Sequence, residues 1–152
     1  MSNLPRKSDI NVCGTLEEID AVRDFYGKTK DDIYSELLTN YEKLQEELAF
    51  MGPVAFAYYA PAWERLFEAF PSVEEIDEVV DWTACIINCR SIDLEHETEE
   101  SNAALRRMLL FCETFYHSKT CTAYYTERCM LPNLEKEREK CAKLHTGLYP
   151  AS

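Results

Sequence analysis

The residues able to do chemistry in this chain are seven cysteines, three histidines and a large excess of carboxylates. Cys85 and Cys89 stand four apart, and Cys141 and His145 repeat that spacing. On helices each pair would share a face, so the four together have the makings of a tetrahedral zinc site. Against a metal stand three facts: no Cys-x-x-Cys knuckle exists, Cys85 and Cys89 keep company with Trp82 and Ile86, and a chain of this length buries a core without one. A di-iron bundle needs two Glu-x-x-His motifs, and only Asp93-x-x-His96 comes near, inside an acidic joint. The residues therefore predict neither metal nor cofactor. His96, His117 and His145 have no nucleophile in a recognisable context, since Gly-x-Ser-x-Gly is absent and Cys112 and His117, five apart, turn away from each other on a helix. Four glycines form no phosphate loop of either common pattern. A metal-dependent or thiol enzyme stays as an alternative, and a chance pair of carboxylates is expected in so acidic a chain.

The carboxylates are unevenly placed. Residues 1–100 carry 8 Lys/Arg against 23 Asp/Glu, while residues 101–152 carry 8 against 5, within an overall charge of −12. Such a field repels phosphate backbones and anionic lipid, so direct binding of nucleic acid or membrane is disfavoured and a basic protein partner is attracted. The expected contact face is Asp77, Glu78 and Asp81 together with Glu95, Glu97, Glu99 and Glu100. Tyr58 and Tyr59, with Trp63 a turn later, are either core or interface anchors. The first residues lack a signal-type apolar core, and no run approaches the ~18 apolar residues of a membrane span, so the expected location is the cytoplasm, where free thiols persist.

The elements that must position these residues read as helices. Thr15 and Glu18 have capping-box spacing, followed by Leu16, Ile19, Val22 and Phe25 at helical intervals up to Gly27. Thr29 opens a second helix with Ile33, Leu37, Tyr41, Leu44 and Leu48 inward and Glu36, Glu42, Glu46 and Glu47 outward. Val54 to Phe70 is apolar on nearly every side and predicts a central helix, interrupted at Pro61. Ser72 and Glu75 open a helix to about Arg90, buried along Trp82, Cys85, Ile86 and Cys89. An acidic joint over 91–100 leads to a helix with core positions Leu105, Met108, Leu109, Cys112 and Phe115, and two shorter helices follow. No strand-like alternation or repeat occurs. The expected architecture is all-α, a single compact domain of six to seven helices over residues 14–147, between a flexible N-terminal tail, 1–13, and a C-terminal tail, 148–152.

Phe25-Tyr26-Gly27-Lys28, then Met51-Gly52-Pro53 followed by Ala55-Phe56, Tyr58-Tyr59 and Pro61-Ala62, resembles a group of small uncharacterised bacterial helical proteins without an assigned activity. The resemblance covers mainly residues 15–70 and implies a bacterial origin and a compact helical unit. It carries over no catalytic or ligand residue. Size, segregated acid and the lack of a chemistry-bearing motif together favour a non-catalytic binding protein, most concretely an inhibitor of the immunity or antitoxin type with an acidic face against a basic partner. A structural, oligomerising helical module is the third reading.

Overall fold

The computed structural model describes residues 3–150; residues 1–2 and 151–152, the outer parts of the two expected tails, lie outside the described residues. Among the described residues there are eight α-helices and no strand. They are α1 (Lys7–Ile10), α2 (Leu16–Phe25), α3 (Lys30–Phe50), α4 (Pro53–Glu64), α5 (Val73–Arg90), α6 (Glu99–Tyr116), α7 (Lys119–Glu127) and α8 (Leu131–Leu148). Tight 3₁₀ turns cover Arg65–Glu68 and Ser91–His96. No helix among the described residues is long and apolar enough to cross a membrane.

Local chemistry sets the boundaries. The Thr15 and Thr29 side chains accept from the Glu18 and Asp32 amides, and both boxes are reciprocated. Gly27, at φ +80°, supplies the left-handed residue that ends the α2 segment. Pro53 occupies the first turn of α4, where its missing N–H leaves nothing unsatisfied. The interruption expected at Pro61 is absent: α4 stays helical through it to Glu64, so the proline forfeits a hydrogen bond without breaking the rod. The break lies instead at Asn40 in α3, whose φ −146° and ψ 29° are non-helical.

The central helix is α4. It buries Phe56, Tyr59, Ala60 and Trp63 against α3 on one side and α6 on the other, while α5 packs on both flanking helices and α8 on α6. Two polar side chains inside this core satisfy each other: Trp63 Nε1 donates to Thr83 Oγ1 at 2.8 Å, and that hydroxyl donates on to the Val79 carbonyl at 2.7 Å. Tyr59 ties the two motif blocks together, its hydroxyl lying 2.8 Å from the carbonyls of both Phe25 and Lys28.

Two expected faces are rotated. In α2 the buried positions are Glu18, Ala21 and Phe25, whereas Leu16 and Ile19 are exposed. The cause is Glu18, whose carboxylate turns inward to accept the backbone amides of Val12, Cys13 and Thr15. In α5 the buried face is Val79, Val80, Thr83, Ile86, Ile87 and Arg90, leaving Cys85 exposed and Trp82 and Cys89 half-buried. Residues 3–13 of the expected N-terminal tail also enter the fold. Ile10 is fully buried, its carbonyl accepts the Gly52 amide at 2.9 Å, and α1 packs on α4. A single turn is too short to show a helical period, so the sequence alone reads it as a tail. Gly52 permits the contact, since a Cβ there would lie 2.2 Å from the Asp9 carbonyl oxygen.

Candidate functional site

The seven acids proposed as one face are separated by the fold. Asp77 is half-buried and receives the Tyr125 hydroxyl at 2.9 Å from both carboxylate oxygens, and burial pushes its carboxyl upward. Asp81 is exposed but faces Lys140 Nζ at 3.8 Å. Glu78 is exposed, and its charge adds to the burial that pushes Tyr41 up to about 12. Glu97 is internal: its side chain is 6% exposed and pairs with Arg90, itself 4% exposed, at 2.9 Å. Only Glu95, Glu99 and Glu100 keep the expected exposed position in the acidic joint. Asp77 and Glu97 therefore leave the contact face, because each satisfies a buried donor. Tyr59 leaves it too, fully buried with its hydroxyl bonded inside, whereas Tyr58 is half-buried beneath Lys30, whose Nζ lies 5.0 Å from the ring centre.

Beside the acidic joint lies a feature with no single sequence signature, a groove of about 530 Å³. Its walls come from three separated segments: the chain after α1, the α3–α4 joint, and the end of α5 with the following turn. Four large apolar side chains line it and remain exposed: Val12 (59%), Phe50 (45%), Val54 (51%) and Ile92 (84%). Each falls in a stretch too short to read as a periodic face, and only folding brings them together. The Met51-Gly52-Pro53 joint bends the chain between two walls, and Asp93, at φ −139° and ψ 75°, bends the third.

Arg90 holds these walls in place. Its Nη1 donates to the carbonyls of Leu48, Ala49 and Met51 at 3.0, 3.3 and 2.7 Å, capping the C-terminal end of α3. Its Nη2 reaches Glu97, and its guanidinium lies 4.1 Å from the Phe56 ring centre. One fork thus joins the end of α3, the end of α5, the turn after it and the central helix.

The nucleophile and ligand candidates do not converge. Cys112, Cys121 and Cys141 are buried, and burial pushes Cys121 and Cys141 up to about 11 and Cys112 upward as well. Cys85 and Cys89 are raised by the same cause, which keeps these thiols protonated at neutral pH. His145 lies 3.3 Å from Glu113 and stacks on Tyr149, and His96 lies 2.5 Å from Asp93. Among the described residues no group of three or more His, Cys, Asp or Glu is placed to hold a metal ion.

Sequence reasoning also missed a carboxyl pair. Glu47, expected on the outside of α3, is buried against Asp24 of α2. Burial first, then the neighbouring Asp24, pushes Glu47 up to about 9, while Arg23 above all holds Asp24 down at about 2. Burial and the adjacent Asp24 carboxylate thus disfavour a second charge on Glu47. The signal was available in the spacing, since position 47 stands three after Leu44 and one before Leu48 on the inward stripe. No family model, curated protein or solved structure matches this chain, so its function is read from its own residues.

Proposed function

We propose that this chain is a non-catalytic binding protein that occludes a basic surface of a protein partner, as an inhibitor of the immunity or antitoxin type does. The observation that carries the reading is the joint between α5 and α6. From residue 91 to residue 105 there are five carboxylates and no Lys or Arg, and Glu95, Glu99 and Glu100 stand exposed. Glu78 and Asp81 are further exposed carboxylates on α5, although Lys140 offsets Asp81. Screened over about 8 Å at physiological salt, this charge acts mainly on the rate of encounter. The protein and its partner belong in the cytoplasm, where seven free thiols stay reduced.

The test is to isolate the partner by pull-down from cells that make the protein and then follow association by stopped flow. Combined Glu95→Lys, Glu99→Lys and Glu100→Lys should slow association by about tenfold or more, and the wild-type rate should fall with added salt. A partner whose association rate ignores both the reversal and the salt would rule the reading out.

A further inference from the structure

We propose that the groove between Val12, Phe50, Val54 and Ile92 is the anchor socket for an amphipathic basic segment of the protein partner, which seats an apolar side chain there and lays Lys or Arg over the acidic rim. This rests on the reading of the acidic surface above and names what that charge alone leaves open, namely where the affinity comes from.

Three observations converge on it. The first is concentration of exposed apolar surface: four large side chains from three chain segments share one concavity, which is what marks an interaction site rather than scattered surface hydrophobics. The second is size and stiffness. About 530 Å³ accommodates one or two large side chains, and the Arg90 fork ties the walls together, so the socket does not have to be assembled on binding. The third is charge. Of the acids that line the groove, Glu18 and Glu97 are engaged by backbone amides and by the buried Arg90, the one Lys or Arg among the lining residues, and Asp9 pairs with Arg6; Asp93 stands exposed at the rim, with Glu95, Glu99 and Glu100 on the adjoining chain.

The same charge selects among occupants. A second copy would set one acidic rim against another, and an anionic lipid surface would meet the same repulsion. A segment with Lys or Arg beside its apolar anchor meets attraction at both parts.

The probe is a fluorescein-labelled peptide with Leu at positions i, i+3, i+4 and i+7 and Lys elsewhere, titrated into the full chain and read by anisotropy. A scrambled peptide of the same composition and amide shifts in ¹⁵N spectra complete the measurement. The socket predicts that Ile92→Ser with Val54→Ser weakens the amphipathic peptide by about tenfold or more. It also predicts that the scrambled peptide binds less tightly and that the largest shifts fall at Val12, Phe50, Val54 and Ile92. Leu110→Ser, which removes an exposed apolar side chain of α6 outside the groove, should leave binding unchanged. Circular dichroism checks that each variant is folded, and the exposed positions chosen make that the expected result.

Glu99→Lys with Glu100→Lys separates the two readings. If this pair weakens binding while Ile92→Ser with Val54→Ser does not, the socket is overturned and the acidic surface stands. If neither changes binding, both fall. Equal affinity for the scrambled peptide, or no shift at the groove residues up to about 1 mM peptide, overturns the socket. So does a concentration-dependent mass in sedimentation that Ile92→Ser abolishes, since the groove would then belong to a second copy.

Discussion

Replacing Arg90 by Leu should be among the most damaging single changes available to this protein. The variant leaves the Glu97 carboxylate buried without its cation and removes the donor shared by the Leu48, Ala49 and Met51 carbonyls. Breaking a buried ion pair from one side costs about 3–5 kcal/mol. The Nη1 group has two hydrogens for three carbonyls, so the lost capping adds about 1–2 kcal/mol rather than three full bonds. A total near 4–7 kcal/mol is a large share of the ~5–15 kcal/mol that a domain possesses. At about 2–4 °C per kcal/mol for this size, the melting temperature should fall by roughly 8–28 °C. Urea unfolding followed by tryptophan fluorescence reads the loss, because Trp63 is fully buried in the core that Arg90 borders. A second arm isolates the electrostatic part: Arg90→Leu combined with Glu97→Leu removes the stranded charge and should recover about 2 kcal/mol relative to Arg90→Leu alone. A loss below about 1 kcal/mol for Arg90→Leu, or a double variant as unstable as the two single losses added together, would refute the argument.

Three further outcomes follow from the same geometry. Glu47, raised from 4.5 to about 9, keeps a proton in the folded state that the unfolded chain has released. Its contribution to stability is therefore full below pH ~4.5 and declines as pH rises toward ~9; Glu47→Gln should flatten that decline, and thermal melts across the window that show parallel pH profiles would contradict it. Asp24 acts with the opposite sign, but only as pH falls below ~4 toward ~2, outside the range in which Glu47 is read. Tyr59→Phe removes the hydroxyl shared by the Phe25 and Lys28 carbonyls, the first of which keeps the Lys28 amide, and should lower unfolding free energy by about 1 kcal/mol in the same urea assay. Gly52→Ala drives a Cβ into the Asp9 carbonyl and should cost about 1–3 kcal/mol while shifting the amide resonances of residues 9–13; unchanged spectra would show that the turn has room.

Much of the architecture was legible because it depends on local signals. The Thr15, Thr29 and Ser72 caps, the Gly27 stop and the inward stripe Ile33, Leu37, Leu44 and Leu48 all stand where spacing put them. Two of the failures, the rotated faces of α2 and α5, come from polar side chains recruited inward by backbone groups. Glu18 turned the face of α2 to reach amides on the preceding turn, and Arg90 completed the inward face of α5 by reaching the end of α3. No periodicity of apolar residues encodes such a demand. The acidic surface was legible as composition but not as geometry. Neighbours in sequence such as Glu97 and Glu99 part company because one meets a buried guanidinium and the other opens α6. The groove was illegible altogether, since Val12, Phe50 and Ile92 become neighbours only through the joint at Gly52 and the bend at Asp93.

The attachment of α7 and α8 has a consequence for how the molecule comes apart. These helices bury only Cys121, Tyr125, Leu134, Cys141, Leu144 and Leu148 among the described residues. Polar ties add to these, among them Tyr125 to Asp77, Tyr116 to Glu137, Arg138 to the Tyr116 carbonyl, Arg106 to the Leu148 carbonyl and Lys140 beside Asp81. Polar ties are replaced by water when broken, whereas the packing of α4 is not. Hydrogen exchange should therefore divide the chain into two tiers, with α7 and α8 opening together at lower free energy and α4 exchanging only through global unfolding. The small positive excess of residues 119–148, six Lys/Arg against four Glu, then acts as a detachable counterweight: while docked, Lys140 offsets Asp81 of α5, and each opening lends the molecule a more acidic surface.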